Sequence, residues 1–309
     1  MMKDKMMVKA KKSCYNKRRK RTGFTIIEVA LFIAITGALF IGITVGTGNS
    51  IQHQRFYDTT QNFAEFLRTV YSEVSNPQSV GDGRSEEAIY GKLVTFGETV
   101  GLDGREISRY DDAAQRIFVY DVVGNVIGMG TGSAQKLLAD VGANAVRVTR
   151  WDGSRPRQVE PAGETIVFSP RWGASIETTE ILTTEEKKTG KNNLFTGSIL
   201  VVRHPRSGTI NTLVSPVVIE VNKTVAEANQ AMNAGGTYDF SNLLTRYLGS
   251  SASAAEKFVN REVDFCINQY GDMVGTDYRF DVRIVNNARN SSGVEVIDLD
   301  SSDNKCRYN

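Results

Sequence analysis

Glu28 is the only ionisable residue between Phe24 and Gly46, and it stands four positions after Phe24 near the start of a long apolar run. A carboxylate at the bilayer centre costs roughly 2.5–3.5 kcal/mol on insertion scales, so an acid in such a run asks for a reason. Three physical roles fit its type and place. It can pair with a cation, in low dielectric where an unmatched charge is costly. It can favour the positive end of the helix dipole in the first turn. It can also simply snorkel to the interface.

Other residues able to do chemistry are sparse. The two histidines, His53 and His204, leave little for an imidazole-based zinc site or a Ser-His-Asp triad. Neither G-x-S-x-G nor G-x-x-x-x-G-K-[ST] occurs. VIGMGTGSAQKLLAD (126–140) mimics a dinucleotide fingerprint, but Ser133 stands where a third glycine or alanine belongs and no βα series follows. Asp298, Asp300 and Asp303 lack the glycine and glutamate of an EF-hand and read as a solvated acidic turn. Arg203, His204 and Arg206 form a basic stretch that could touch DNA phosphates, without the aromatic residues that usually accompany such contacts. Carboxylate-based glycoside hydrolysis depends on tertiary distances that the sequence does not give. The expectation is a protein with no cofactor, no metal and no catalytic site.

The elements around Glu28 are well marked. A net charge of +2 divides into +9 over residues 1–23 (ten Lys and Arg against Asp4) and therefore −7 over the rest. A basic head before an apolar segment of membrane length predicts a cytoplasmic amino terminus with everything downstream translocated. A nucleic-acid-binding arm is the other reading of so basic a head. Within the run Ala30, Ala34, Ala38, Gly42 and Gly46 recur every fourth residue, which lines small side chains along one stripe where helices can approach closely. Phe63, Phe66, Leu67, Val70, Tyr71 and Val74 then keep helical spacing as far as Asn76-Pro77. One helix is therefore predicted over 24–76, membrane-spanning over 24–46 and amphipathic beyond, with Gly46 and Gly48 as its weak point. A secretory signal would have a shorter core and would leave the amphipathic half orphaned.

By length the 309 residues suit one to three domains. Residues 77–309 predict a β-rich extracytoplasmic head. Strands are expected at 92–96, 116–123, 145–151, 164–169, 197–202, 216–221, 263–268, 279–285 and 294–299, and short helices at 133–140, 224–233 and 253–261. The class is α+β, a long helix packed on mainly antiparallel sheet. Cys14 lies in the basic head; Cys266 and Cys306 fall where a pair can oxidise. Two small buried thiols are the alternative to that bridge.

Gly23-Phe24-Thr25-Ile26-Ile27-Glu28-Val29-Ala30-Leu31 resembles the processing site of type IV prepilins and the related pseudopilins of type II secretion. Basic leader, glycine, phenylalanine, glutamate and apolar helix appear in the same order, over about fifty residues. The resemblance implies that a prepilin peptidase cuts between Gly23 and Phe24, removes the leader 1–23 and methylates the new amine. It implies that Glu28 pairs with the Phe24 amine of a neighbouring subunit, while the Ala/Gly stripe packs helices in a filament core. The Cys266 and Cys306 placement resembles the terminal-loop disulfide of many pilins. The expected partners are the membrane, the peptidase, other pilin subunits and the pilus assembly machinery, with DNA or a surface ligand as a further possibility. The expected function is a minor pilin or pseudopilin, held in the cytoplasmic membrane and then assembled at the surface. The alternative is an anchored binding module, an adhesin or DNA receptor, that never polymerises.

Overall fold

The structure, a computed structural model, describes residues 23–76, 87–107, 116–125, 146–151, 159–161, 165–171, 174–178, 197–203, 208–236, 244, 258–269, 280–285, 288–297, 302–303 and 306. The chain forms two compact units, Met1–Gln52 and His53–Asn309. Helix α1 runs from Ile26 to Ser75, and Gly46 and Gly48 both lie within it. It ends two residues before Pro77, as the restriction on the residue preceding proline requires.

The strands of the second unit are β1 (Glu87–Phe96), β2 (Ile117–Asn125), β3 (Val146–Arg147), β4 (Thr149–Trp151), β5 (Val159–Pro161), β6 (Ile166–Phe168), β7 (Ala174–Thr178), β8 (Gly197–Arg203), β9 (Ile210–Ser215), β10 (Val263–Gln269), β11 (Phe280–Ile284) and β12 (Val294–Ile297). A second helix, α2, spans Val221–Asn233. The larger sheet has the order β3-β2-β1-β8-β9, with β6 also on β2; the smaller is β12-β11-β10-β7; β4 and β5 form a ribbon. All described strand pairs are antiparallel. The α+β class follows directly.

Period explains how these layers meet. The α1 residues Phe63, Ala64, Leu67, Val70, Tyr71 and Val74 are buried, as their three-and-four spacing predicts. They share one core with Val94, Phe96, Ile117, Val119 and Ile199 of the larger sheet and with Phe265, Ile267, Val282 and Ile284 of the smaller. Phe63 packs its ring against Phe265 at 5.4 Å and Phe168 at 5.7 Å between centroids. The alternate residues of the larger sheet, Leu93, Phe118, Tyr120, Val122 and Leu200, form a second core with Ile219 and Val221 at the start of α2. That sheet is covered on both faces, so its strands read as nearly continuous apolar runs. At Gly91 an added Cβ would stand 2.1 Å from the Val201 carbonyl oxygen, so β1 approaches β8 too closely there for any side chain.

Two expected elements differ. Residues 216–221 are not a strand: β9 is Ile210–Ser215, and Val221 already opens α2. PVVIEV has strand-like composition, but Glu220 is the helix N-cap, so local propensity yields to the turn. The helix expected at 253–261 is not helical over 258–261, where Val259 bridges to Val214. The helix expected at 133–140 lies outside the described residues. The remaining expected strands overlap observed ones within a few residues, and Cys266 and Cys306 form a disulfide with Cα atoms 5.3 Å apart.

Candidate functional site

The first unit is best built from its polar groups. Ile26–Thr44 is a 19-residue helical stretch of mean hydropathy 2.5, and its side chains are exposed. It is long and apolar enough to cross a membrane. Phe24, Ile26, Phe32 and Phe40 are each at least two-thirds exposed, with Ile26 at 89%. Only three side chains in the stretch are polar: Glu28, Thr36 and Thr44. Thr36 Oγ1 donates back to the Phe32 carbonyl at 2.8 Å, and Thr44 Oγ1 to that of Phe40 at 2.9 Å. Such i−4 bonds satisfy a hydroxyl inside the helix, so neither threonine needs water or a partner.

Glu28 has no comparable arrangement for its carboxylate among the described residues. Its backbone N–H donates to Thr25 Oγ1 at 3.2 Å, with Thr25 just ahead of α1. Thr25-x-x-Glu28 thus has the spacing of a capping box, and the threonine half is made. This spacing is plain in the sequence, but among the described residues the glutamate half, a bond from the Thr25 N–H to the Glu28 carboxylate, is not made. An acid at this position also meets the positive end of the helix.

The other expected site residues fall as follows. Gly23 and Phe24 precede the helix and are exposed. Ala30, Ala34, Ala38 and Gly42 lie on α1, all exposed, and an added Cβ at Gly42 would meet nothing within 4 Å. Space on that stripe is therefore open to a second helix. Gly46 is helical. Asp303 is exposed, while Asp298, Asp300, His204, Arg206, the basic leader with Cys14 and the whole of 126–140 lie outside the described residues. Arg203 Nη1 donates to the Ser75 carbonyl at 2.9 Å, which caps the carboxyl end of α1 with a cation. Among the described residues no group of three or more His, Cys, Asp or Glu could hold a metal.

Sequence reasoning missed the buried ionic groups of the second unit. Lys92 Nζ on β1 lies 2.6 Å from Asp121 Oδ1 on β2 and 2.8 Å from Glu73 Oε2 on α1. Both are close charge contacts whose angles fall outside ordinary hydrogen-bond geometry. Burial alone would lower the Lys92 pKa, but the two carboxylates outweigh it and raise it. Arg283 bonds to Asp264 and, at 3.2 Å, to Asp281, both fully buried, and donates 2.8 Å to the Asp303 carbonyl.

No protein-family model, no curated protein and no solved structure matches this chain.

Proposed function

We propose that this chain is a structural subunit, a minor pilin or pseudopilin, of a type IV pilus or type II secretion-like filament. The observation that carries this reading is Glu28: the one polar side chain in an exposed apolar helix that the helix itself does not absorb, one turn after Gly23–Phe24. Prepilin peptidase cuts after Gly23 and methylates Phe24, which places a cationic amine beside the apolar segment. Stacking subunits then matches each Glu28 with a neighbour's amine, because an unmatched charge in low dielectric is the costly state. The open Ala30–Ala34–Ala38–Gly42 stripe lets the helices close on one another. Before assembly the subunit is a single-pass protein of the cytoplasmic membrane with its head outside; afterwards it belongs to a surface filament built with the pilus assembly machinery.

Intact mass and amino-terminal sequencing of the protein extracted from its native membrane test this. A chain beginning at methylated Phe24 is expected. A chain beginning at Met1 would make it a plain signal anchor, and one beginning beyond Gly46 would make it an ordinary secreted protein.

A further inference from the structure

We infer that Lys92 and Asp121 become joined by an intramolecular isopeptide bond, with Glu73 carrying the protons. Lys92 and Asp121 are direct cross-strand partners in the β1–β2 register. The register shifts between Ile89 and Gly91, just before Lys92, and such irregularities re-aim the side chains beside them. Both side chains fall on the face of the sheet that α1 covers, the same face as Val94 and Val119 two residues along each strand. Lys92 is 10% exposed and Asp121 8%, while Glu73, from α1, is 38% exposed.

Amide formation between an amine and a carboxyl group is slow in water for two reasons, and this site removes both. Encounter is the first: held reactants reach effective molarities of about 10⁵–10⁸ M when they lie in near-attack geometry. Lys92 Nζ touches Asp121 Oδ1, one bond from the carbon it would attack, and turning the carboxyl about Cβ–Cγ presents that carbon. Solvation is the second: two buried charges lose their hydration, so a neutral amide in their place relieves that desolvation penalty. The ammonium is the resting form before reaction, since the carboxylates hold its proton. A third group that takes the proton away is therefore needed, and Glu73 Oε2 is 2.8 Å from Nζ.

The step balances within these three residues. The Lys92 ammonium passes a proton by way of Glu73 to an Asp121 oxygen, which makes that carboxyl group neutral, and the freed lone pair attacks Asp121 Cγ to form the C–N bond. The hydroxyl on Cγ then takes a second proton from the nitrogen, again by way of Glu73. The C–O bond breaks and water leaves. Two of the three ammonium protons end in that water, the third stays on the amide nitrogen, and Glu73 ends as it began. The half-exposed Glu73 gives the water a way out. The product ties β1 to β2 covalently.

Tryptic peptide mapping of the purified full-length chain, reduced and denatured only after folding, tests this. The expected result is one joined species of residues 85–105 and 117–136, uncut at Lys92 and lighter than the two peptides by one water. Lys92→Arg should abolish that species, and Glu73→Gln should leave the peptides apart. Free peptides 85–92 and 93–105, with 117–136 at its full mass, would overturn the proposal and leave an ordinary buried ion cluster.

Discussion

The Glu98 carboxylate accepts a hydrogen bond at 3.1 Å from the backbone N–H of Asn222, 124 residues further along the chain. Asn222 lies in the first turn of α2, where backbone N–H groups lack partners within the helix. The residue that should cap this end, Glu220, makes no side-chain cap. Its carboxylate instead takes the Thr99 N–H at 2.9 Å and the Thr99 hydroxyl at 3.0 Å. Each acid thus serves the other's segment, and Asn222 Nδ2 adds a bond to the Val100 carbonyl. Gly97, at φ +82°, supplies the turn that brings Glu98 round.

This clamp predicts a pH dependence. Burial is the main cause that raises the Glu98 pKa, from 4.5 to about 7, against the bonds from Thr95 and Asn222. Tyr120 lies within electrostatic reach, although its hydroxyl makes no hydrogen bond of good geometry, and Glu220 adds like charge. The folded chain therefore holds a proton that the unfolded chain has lost. Stability from this group is full below about pH 4.5 and is lost as pH rises through about 7. The loss is on the order of 3 kcal/mol. Glu98→Gln keeps an acceptor for Asn222 and should flatten the fall in thermal midpoint measured between about pH 5 and about pH 8 in detergent. An equal fall in both proteins would assign it to other groups.

Removing either member of the Tyr71–Thr212 pair should cost different amounts. The two hydroxyl oxygens are 2.6 Å apart in the core, and Thr212 Oγ1 also donates to the Ala288 carbonyl at 3.3 Å. Tyr71 is thus the donor within the pair. Tyr71→Phe leaves Thr212 with its carbonyl partner and should cost about 0.5–1.5 kcal/mol. Thr212→Val strands a buried phenol and should cost about 1–3 kcal/mol. Denaturant melts of both variants and of the double variant measure the order, which reverses if Thr212 donates to Tyr71.

Arg283 holds two fully buried carboxylates, Asp264 and Asp281, on the face of the smaller sheet opposite α1. Arg283→Met leaves both charges without their cation and should destabilise by about 3–5 kcal/mol. Adding Asp264→Asn and Asp281→Asn to that variant should recover part of the loss. Equilibrium unfolding of the three proteins decides; no recovery would mean that Arg283 acts through packing alone.

Legibility in the sequence followed the range of the interactions. The buried face of α1 could be read from Phe63 to Val74 because a helix repeats locally, and Cys266–Cys306 because compartment and parity constrain the pairing. β9 was hidden because Asn211 and Thr212 interrupt its apolar pattern, although Thr212 is buried against Tyr71. Lys92, Glu98 and Asp121 look like surface residues in the chain. Their burial exists only once β1, β2 and a helix have come together across long separations, and no local period encodes that. In the apolar half of α1 the run and its acid were evident. The Thr25–Glu28 capping-box spacing was equally visible; its threonine half is made, and the glutamate half is a second use open to the same carboxylate.

That second use sharpens the test of Glu28. If the glutamate serves mainly its own helix end, then Glu28→Gln, which suits the same capping-box position, should behave as wild type. If it serves a neighbour's amine, the charge itself is needed, and Gln should fail as completely as Ala. Thr25→Ala separates the two further, since it removes the Thr25 Oγ1 acceptor while leaving the charge. Its cost is about 1 kcal/mol at one helix end. The filament reading predicts that Glu28→Gln and Glu28→Ala insert and are cleaved but yield no subunit in sheared surface fractions, whereas Thr25→Ala still assembles. Immunoblots of membrane and sheared fractions distinguish these outcomes. Normal amounts of Glu28→Gln in the sheared fraction would remove the charge-pairing role and leave capping as the reason for the acid.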